Sequence, residues 1–322
     1  MNHINEDLAQ RQSSLPEDYP TTHRLVQGDA RNLSFLKDES VHLVITSPPY
    51  WTLKRYNDSD GQLGHVEDCE QFVKELEKVW REVFRVLVPG GRLVCVVGDV
   101  CLSRKENAGR HTVVPLHADI CVTCRRIGFD NLNPIIWHKI SNASYEVSNG
   151  SKFLGKPYEP NAIIKNEIEY ILLERKPGGY RKPTEEQRRQ SMIPKEKFNV
   201  WFQQFWTLTG ASTKEHPAPF PVELASRLVQ MFLFVGDTVL DPFCGTATTM
   251  LAALNTRRNS IGVELDSEYC HMSAERLLNA NGSLFSNASI QIDTRKNHAE
   301  TPKTLRTGNE RDPCPVQNAK RP

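Results

Sequence analysis

Seven short stretches of this chain are built around runs of apolar residues: 23–27, 41–46, 92–98, 133–137, 168–173, 238–240 and 260–263. A strand with one wet face alternates apolar and polar residues, whereas a strand apolar throughout is covered on both faces, as in a parallel sheet between helix layers. Helical periods lie between these stretches. The clearest runs over 68–87, where Phe72, Leu76, Val79, Val83 and Leu87 recur at threes and fours before Pro89, Gly90 and Gly91 interrupt the pattern. Others cover 114–127, closed by Gly128, and 221–234, 247–255 and 267–279. Strands alternating with helices predict an α/β fold, a doubly wound and mostly parallel seven-stranded sheet of Rossmann-like form.

Residues 138–210 break the rhythm. The first part is rich in Ser, Asn, Gly and Pro, and the second mixes cations with aromatics. The reading divides the chain into a mobile N-terminal segment (1–21), one half of an α/β domain (22–140), an inserted lobe (141–210, with a strand returning to the sheet near 168–173), the other half (211–282) and a polar, disordered tail (283–322).

Forty Lys and Arg offset 39 Asp and Glu. A polyanionic partner would therefore have to be held by local patches rather than by net charge. The eight cysteines are irregularly spaced and several sit in apolar runs, which excludes a disulfide framework. Cys121 and Cys124 form a CxxC with no second pair at ligand spacing, so it reads as a helix face and no metal site is expected. No stretch approaches the run of about 18 apolar residues that a membrane span needs, and the N-terminus lacks a signal-peptide core; the expectation is a cytoplasmic protein.

Two loops carry the chemistry. Thr46-Ser47-Pro48-Pro49-Tyr50-Trp51 follows the second apolar stretch, at the carboxyl end of a strand where open α/β sheets bind their ligands. Two prolines stiffen the backbone and keep its carbonyls out of regular pairing, so Ser47 Oγ and the Pro48 carbonyl can face one amino group as fixed acceptors. Tyr50 offers a flat face for a base, a contact worth roughly 1–3 kcal/mol. Asp241-Pro242-Phe243-Cys244-Gly245-Thr246-Ala247-Thr248-Thr249 joins a strand to a helix. Small residues there admit a ligand to the backbone, and helix N-terminal amides attract its anionic part. Glu264 lies about 20 residues further on, at the end of the next strand, where a carboxylate can accept from both hydroxyls of a ribose.

These motifs together resemble the DNA amino methyltransferases, in the permuted class whose catalytic SPPY or DPPY loop precedes the cofactor loop. The resemblance spans roughly 23–280. It implies S-adenosyl-L-methionine as cofactor, held by Asp29, Thr46, Asp241, Pro242, Phe243, Gly245, Thr246, Thr248 and Glu264. Asp29, in Gln27-Gly28-Asp29-Ala30, would sit near the adenine edge, and His216 and Pro217, in a segment resembling the cofactor lid, would join the set. Ser47, Pro48, Pro49 and Tyr50 become the catalytic loop, and Trp137 resembles the aromatic packed near the target base. The 141–210 lobe becomes a target-recognition region. Ala247 stands where the family has its second loop glycine; alanine tolerates positive φ poorly and adds a methyl where backbone usually approaches cofactor.

The implied reaction is in-line attack by an exocyclic amine on the sulfonium methyl. Cytosine C5 chemistry would need a Pro-Cys pair after a strand, and the only such pair here, Pro313-Cys314, lies in the polar tail. Within the family a serine at the first loop position goes mainly with cytosine N4, so that is the first expectation. Adenine N6 stays open, as does a degenerate relative that binds DNA without methylating it, which Ala247 invites. A methyltransferase for RNA or protein is disfavoured by the long lobe. The base must be flipped from double-stranded DNA while phosphates are held. Candidate DNA contacts are Trp51, Lys54, Arg55, Arg104, Lys105, Trp137, Lys152, Lys156, Arg181, Lys182, Arg188 and Arg189. Relatives also bring a cognate restriction endonuclease and a homodimer into consideration as partners.

Overall fold

The computed structural model describes residues 20–51, 57, 61–105, 107–139, 160, 164, 166–211, 220–281 and 288–294. Within them every one of the seven apolar stretches lies in or overlaps a strand of one sheet. In chain order the strands and helices are β1 (Thr21–Gln27), β2 (Val41–Thr46), α1 (Cys69–Val86), β3 (Leu87–Val97), β4 (Val100–Leu102), β5 (Thr112–Val114), α2 (Leu116–Ile127), β6 (Asp130–Asn131), β7 (Ile135–Lys139), β8 (Ile168–Arg175), α3 (Glu185–Gln190), α4 (Lys195–Trp201), β9 (Phe205–Leu208), α5 (Val222–Phe232), β10 (Thr238–Asp241), α6 (Thr248–Asn255), β11 (Asn259–Glu264), α7 (Ser267–Asn281) and β12 (Ala288–Thr294).

The main sheet runs β12-β1-β11-β10-β2-β3-β8-β7-β9, with β6 pairing to β8. From β12 to β3 every pairing is parallel. Strand β8 is antiparallel to β3 and β7. Strand β2 shows why such segments are apolar throughout: Val44 packs into the cluster with Phe72, Leu76 and Trp80 of α1, while Leu43 and Ile45 pack with Leu224 and Leu228 of α5 on the other face. A third cluster joins Leu25 of β1 to Met250 of α6 and Leu277 of α7.

Three differences from the expected sheet have local causes. Strand β6 is only two residues long. Strand β9 lies in the aromatic-rich stretch read as lobe; its Trp206 is buried and donates from Nε1 to the Trp201 carbonyl at 2.9 Å. Strand β12 corrects the disordered tail, because residues 288–294 pair in parallel with all of β1. It is a half-wet edge strand in which Ile290 packs inward and Ile292 is exposed, so its polar alternation resembles a solvated segment. Pro89-Gly90-Gly91 also behaves otherwise than as a simple stop. The helix ends at Val86 and those residues already belong to β3, where the pairing with β2 shifts register and Gly90 takes φ 78°. A Cβ at Gly90 would come within 2.7 Å of the Gly179 carbonyl oxygen.

From β10 the chain moves through α6 to β11 in one direction, and from β2 through α1 to β3 in the other. Strands β10 and β2 are neighbours, so the crevice at their carboxyl ends is the topological switch point of the sheet. No described helix is long and apolar enough to cross a membrane.

Candidate active site

The two chemical loops meet at that switch point. Thr46, the last residue of β2, donates from Oγ1 to Asp241 Oδ1 across 2.8 Å and 195 residues of sequence. Asp241 also accepts from Thr249 Oγ1 at 2.7 Å and from the Phe243 amide at 3.1 Å. Burial pushes its carboxyl up to about 6 although three donors pull the other way. Thr46 and Asp241 are thus buried fasteners that set the two loops side by side.

Beside this clip lies a solvent-open cleft of roughly 560 Å³, lined by Ser47 and Pro49 from one loop, Pro242, Phe243 and Gly245 from the other, and Glu264 and Asp29 from the ends of β11 and β1. Glu264 Oε2 accepts from the Gly245 amide and Oε1 from the Asp266 amide, each at 2.9 Å. Burial raises this carboxyl to about 7 against those two bonds. A buried carboxylate in this state gains from further donors brought by a ligand. Asp29 is gripped by Arg31, whose Nη2 is 2.6 Å from Oδ2 and whose Nη1 reaches Glu75 at 2.7 Å. The glycine-loop backbone is held from α7, where Ser273 Oγ donates to the Gly245 carbonyl at 2.6 Å and Arg276 Nη1 to that of Thr246 at 2.8 Å. Thr246 and Thr248 are buried under it.

Ala247 does adopt the left-handed conformation, at φ 61° and ψ 32°. It is fully buried in the third core cluster and does not line the cleft. The extra methyl is therefore accommodated by the core.

Several cleft residues were not anticipated. Gly61, Gln62 and Leu63 line it, as do Leu265 and Tyr269. Asn57 Nδ2 donates to Glu268 Oε2 at 3.0 Å, tying the stretch after the catalytic loop to the start of α7. A short glycine-containing turn that only becomes a wall by tertiary contact has no sequence signature. Tyr50 is 7% exposed, with its hydroxyl 3.2 Å from Ser47 Oγ and 3.2 Å from Glu169 Oε2. Glu169 belongs to β8, far from either motif.

Of the anticipated DNA contacts, Trp137 requires correction: it is fully buried on the α5 side of the sheet, donating from Nε1 to the Leu208 carbonyl at 2.9 Å, and has no face for a base. Trp51 is partly buried and donates from Nε1 to the Val66 carbonyl at 2.9 Å. Arg104 and Lys105 are exposed in the turn between β4 and β5, a hairpin that leaves the carboxyl end of β3, on the cleft side. Arg181 pairs with Asp237 just before β10, and Arg188 lines the same hollow with His42. These two, with Lys182 and with Arg189, which pairs with Glu186 at 2.5 Å, are grouped at the amino ends of the strands, opposite the cleft. Lys54, Arg55, Lys152, Lys156, His216 and Pro217 lie outside the described residues.

Residues 41–275 match the family model for N6 and N4 DNA methylases. The chain belongs to this DNA methylase family. Among characterised relatives of this methylase, the type II methyltransferase M.MjaI of Methanocaldococcus jannaschii is 38% identical over 291 residues, covering 81% of this chain and 92% of its own. The type II methyltransferase M.MthZI of Methanothermobacter thermautotrophicus is 37% identical over 281 residues, 80% of this chain and 77% of its own. The solved structure of TTHA0409 from Thermus thermophilus, complexed with S-adenosyl-L-methionine, superposes on the methylase with TM-score 0.68 at 55% identity, covering 84% of this chain and 99% of that one.

Proposed function

We propose that the methylase transfers a methyl group from S-adenosyl-L-methionine to the N4 amine of a flipped cytosine in double-stranded DNA. The observation that carries this reading is the Thr46–Asp241 clip, which puts Ser47 and the Gly245–Glu264 loop ends on one cleft. The donor set fits the cofactor. Glu264 is a buried acceptor suited to ribose hydroxyls, Asp29 a carboxylate suited to the adenine edge, and Pro242, Phe243 and Tyr269 supply apolar walls.

S-adenosyl-L-methionine, held there, would supply an electrophilic sulfonium methyl: the amine lone pair forms the new N–C bond, the C–S bond breaks with its electrons leaving on sulfur, and the surplus amine proton passes to solvent. The protein's own part is placement and polarisation. An exocyclic amine is a poor nucleophile because its lone pair is delocalised into the ring. Ser47 Oγ and the Pro48 carbonyl, as fixed acceptors, favour the tetrahedral form in which that pair is localised, and the stiff Pro48-Pro49 backbone keeps them in place. Serine at the first loop position is what favours cytosine over adenine. The binding-only reading loses its motive, since the Ala247 methyl is packed in the core.

Expression in a host devoid of DNA methylation, followed by mass spectrometry of its nucleosides, tests this. N4-methylcytosine is expected. N6-methyladenine would transfer the reading to adenine, and unmodified DNA would overturn it.

A further inference from the structure

Beyond Tyr50 lies a second hollow of roughly 650 Å³ at the same sheet edge, lined by Gly98 and Asp99 after β3, Lys139 at the end of β7, and Asn166 and Glu169 at the start of β8. Because β8 is antiparallel, its beginning comes to the edge where the parallel strands end. Ser47 lines the first cleft and Tyr50 the second, with their hydroxyls in contact. Glu169 in turn pairs with Lys139. Gly98 permits the crossing: a Cβ there would lie 3.3 Å from both Tyr50 Cε2 and Glu169 Cγ.

Donor counting sets the direction of this chain. An ionised Glu169 can only accept, so the hydrogen bond between it and Tyr50 uses the single phenolic proton. The carbonyl of Val96, 3.4 Å from the same hydroxyl, is also only an acceptor, and a neutral one. Tyr50 must then accept from Ser47, whose proton is directed away from the cleft, leaving Ser47 Oγ to present lone pairs there. Charge-assisted bonds are about twice as strong as neutral ones, and successive bonds polarise one another. We propose that Glu169 is a positioning residue for methyl transfer, acting through the Tyr50 hydroxyl to hold Ser47 as an acceptor for the target amine. Its role rests on the amine-methylating reading above. The other two acids of this hollow are engaged elsewhere, Asp99 2.6 Å from His117 Nδ1 and Glu167 3.5 Å from His138 Nε2.

The test is a double-mutant cycle in the full-length enzyme, with methyl transfer to DNA, cofactor affinity and DNA affinity measured for each variant. Glu169→Leu is expected to lower kcat about tenfold, the scale of one hydrogen bond, with both affinities unchanged. Glu169→Gln, which keeps a neutral acceptor, should recover most of that loss. In a Tyr50→Phe background, where the chain is already cut, Glu169→Leu should cost less than about twofold more. Wild-type kcat in Glu169→Leu, or losses that multiply with Tyr50→Phe, would overturn the proposal. Should Glu169→Leu lose its cofactor affinity through misfolding, the cycle runs with Glu169→Ala, whose about tenfold loss must vanish beside Tyr50→Phe. A wild-type enzyme that methylates no amine would instead defeat the functional reading itself.

Discussion

Glu264 shows how burial can make a ligand contact sensitive to pH. Its carboxyl is raised from the usual 4.5 to about 7, so in that window the folded protein holds a proton that the unfolded chain has released. Its contribution to stability therefore falls as pH rises from 4.5 through 7. Hydroxyl donors from a bound ribose favour the ionised form and reverse this. Cofactor affinity should climb between about pH 6 and 8 and then level off, with a proton released on binding near pH 7; calorimetry in buffers of different ionisation enthalpy reads both. Glu264→Gln, which sets an amide NH2 against backbone N–H groups, should weaken binding by about 10- to 100-fold and flatten the dependence. Ala247→Gly, by contrast, should leave cofactor affinity within about twofold, because the methyl it removes lies in the core; tenfold tighter binding would place that methyl against the cofactor after all. The meeting of Ser47 and Glu264 at one cleft was legible because each sits in a compact motif after an apolar run, whereas Asp241, expected on the cofactor, is a buried acceptor fastening the two loops and does not line the cleft. Glu169 was not, since only antiparallel pairing brings it to Tyr50. Nor was the burial of Trp137, which takes its environment from β9 and α5.

Among elements, β2 and β10 share a short ladder, Val239 with Leu43 and Leu240 with Val44, and the Thr46–Asp241 bond closes it at the functional edge. Thr46→Val keeps the shape and removes the donor. The expected cost is about 1–3 kcal/mol in denaturant unfolding, together with a weaker cofactor complex as the two loops part. A variant as stable as wild type would deny the clip its role. All seven apolar stretches became strand because coverage on both faces writes itself into composition. Strands β9 and β12 escaped because each is exposed at a sheet edge, where Phe205 and Ile292 face water and the pattern loses its meaning. The 138–210 region was likewise only half legible: part of it is sheet, and Arg181, Lys182, Arg188 and Arg189 gather at the end of the strands away from the cleft.

For the molecule as a whole, formal charge is +1, so its hold on DNA depends on where the cations stand. Arg104 and Lys105 project from the cleft side, and replacing either by Glu should weaken DNA binding and reduce the salt dependence of log K by about one phosphate contact. Lys182→Ala and Arg189→Ala, at the far end, should change neither, as titrations at several salt concentrations would reveal.

The sheet order has a last consequence, for how the enzyme comes into being. Strand β1 is the first strand of the sheet along the chain, yet both of its neighbours, β11 and β12, are among the last, and His23 waits for Ser260, 237 residues later, to complete its 2.7 Å bond. A growing polypeptide on the ribosome thus carries the SPPY loop long before the partner that completes its cleft exists. The cleft is completed only near the end of synthesis, and a chain terminated ahead of β10 lacks the Pro242, Phe243, Gly245 and Glu264 side of it however well its first half has folded.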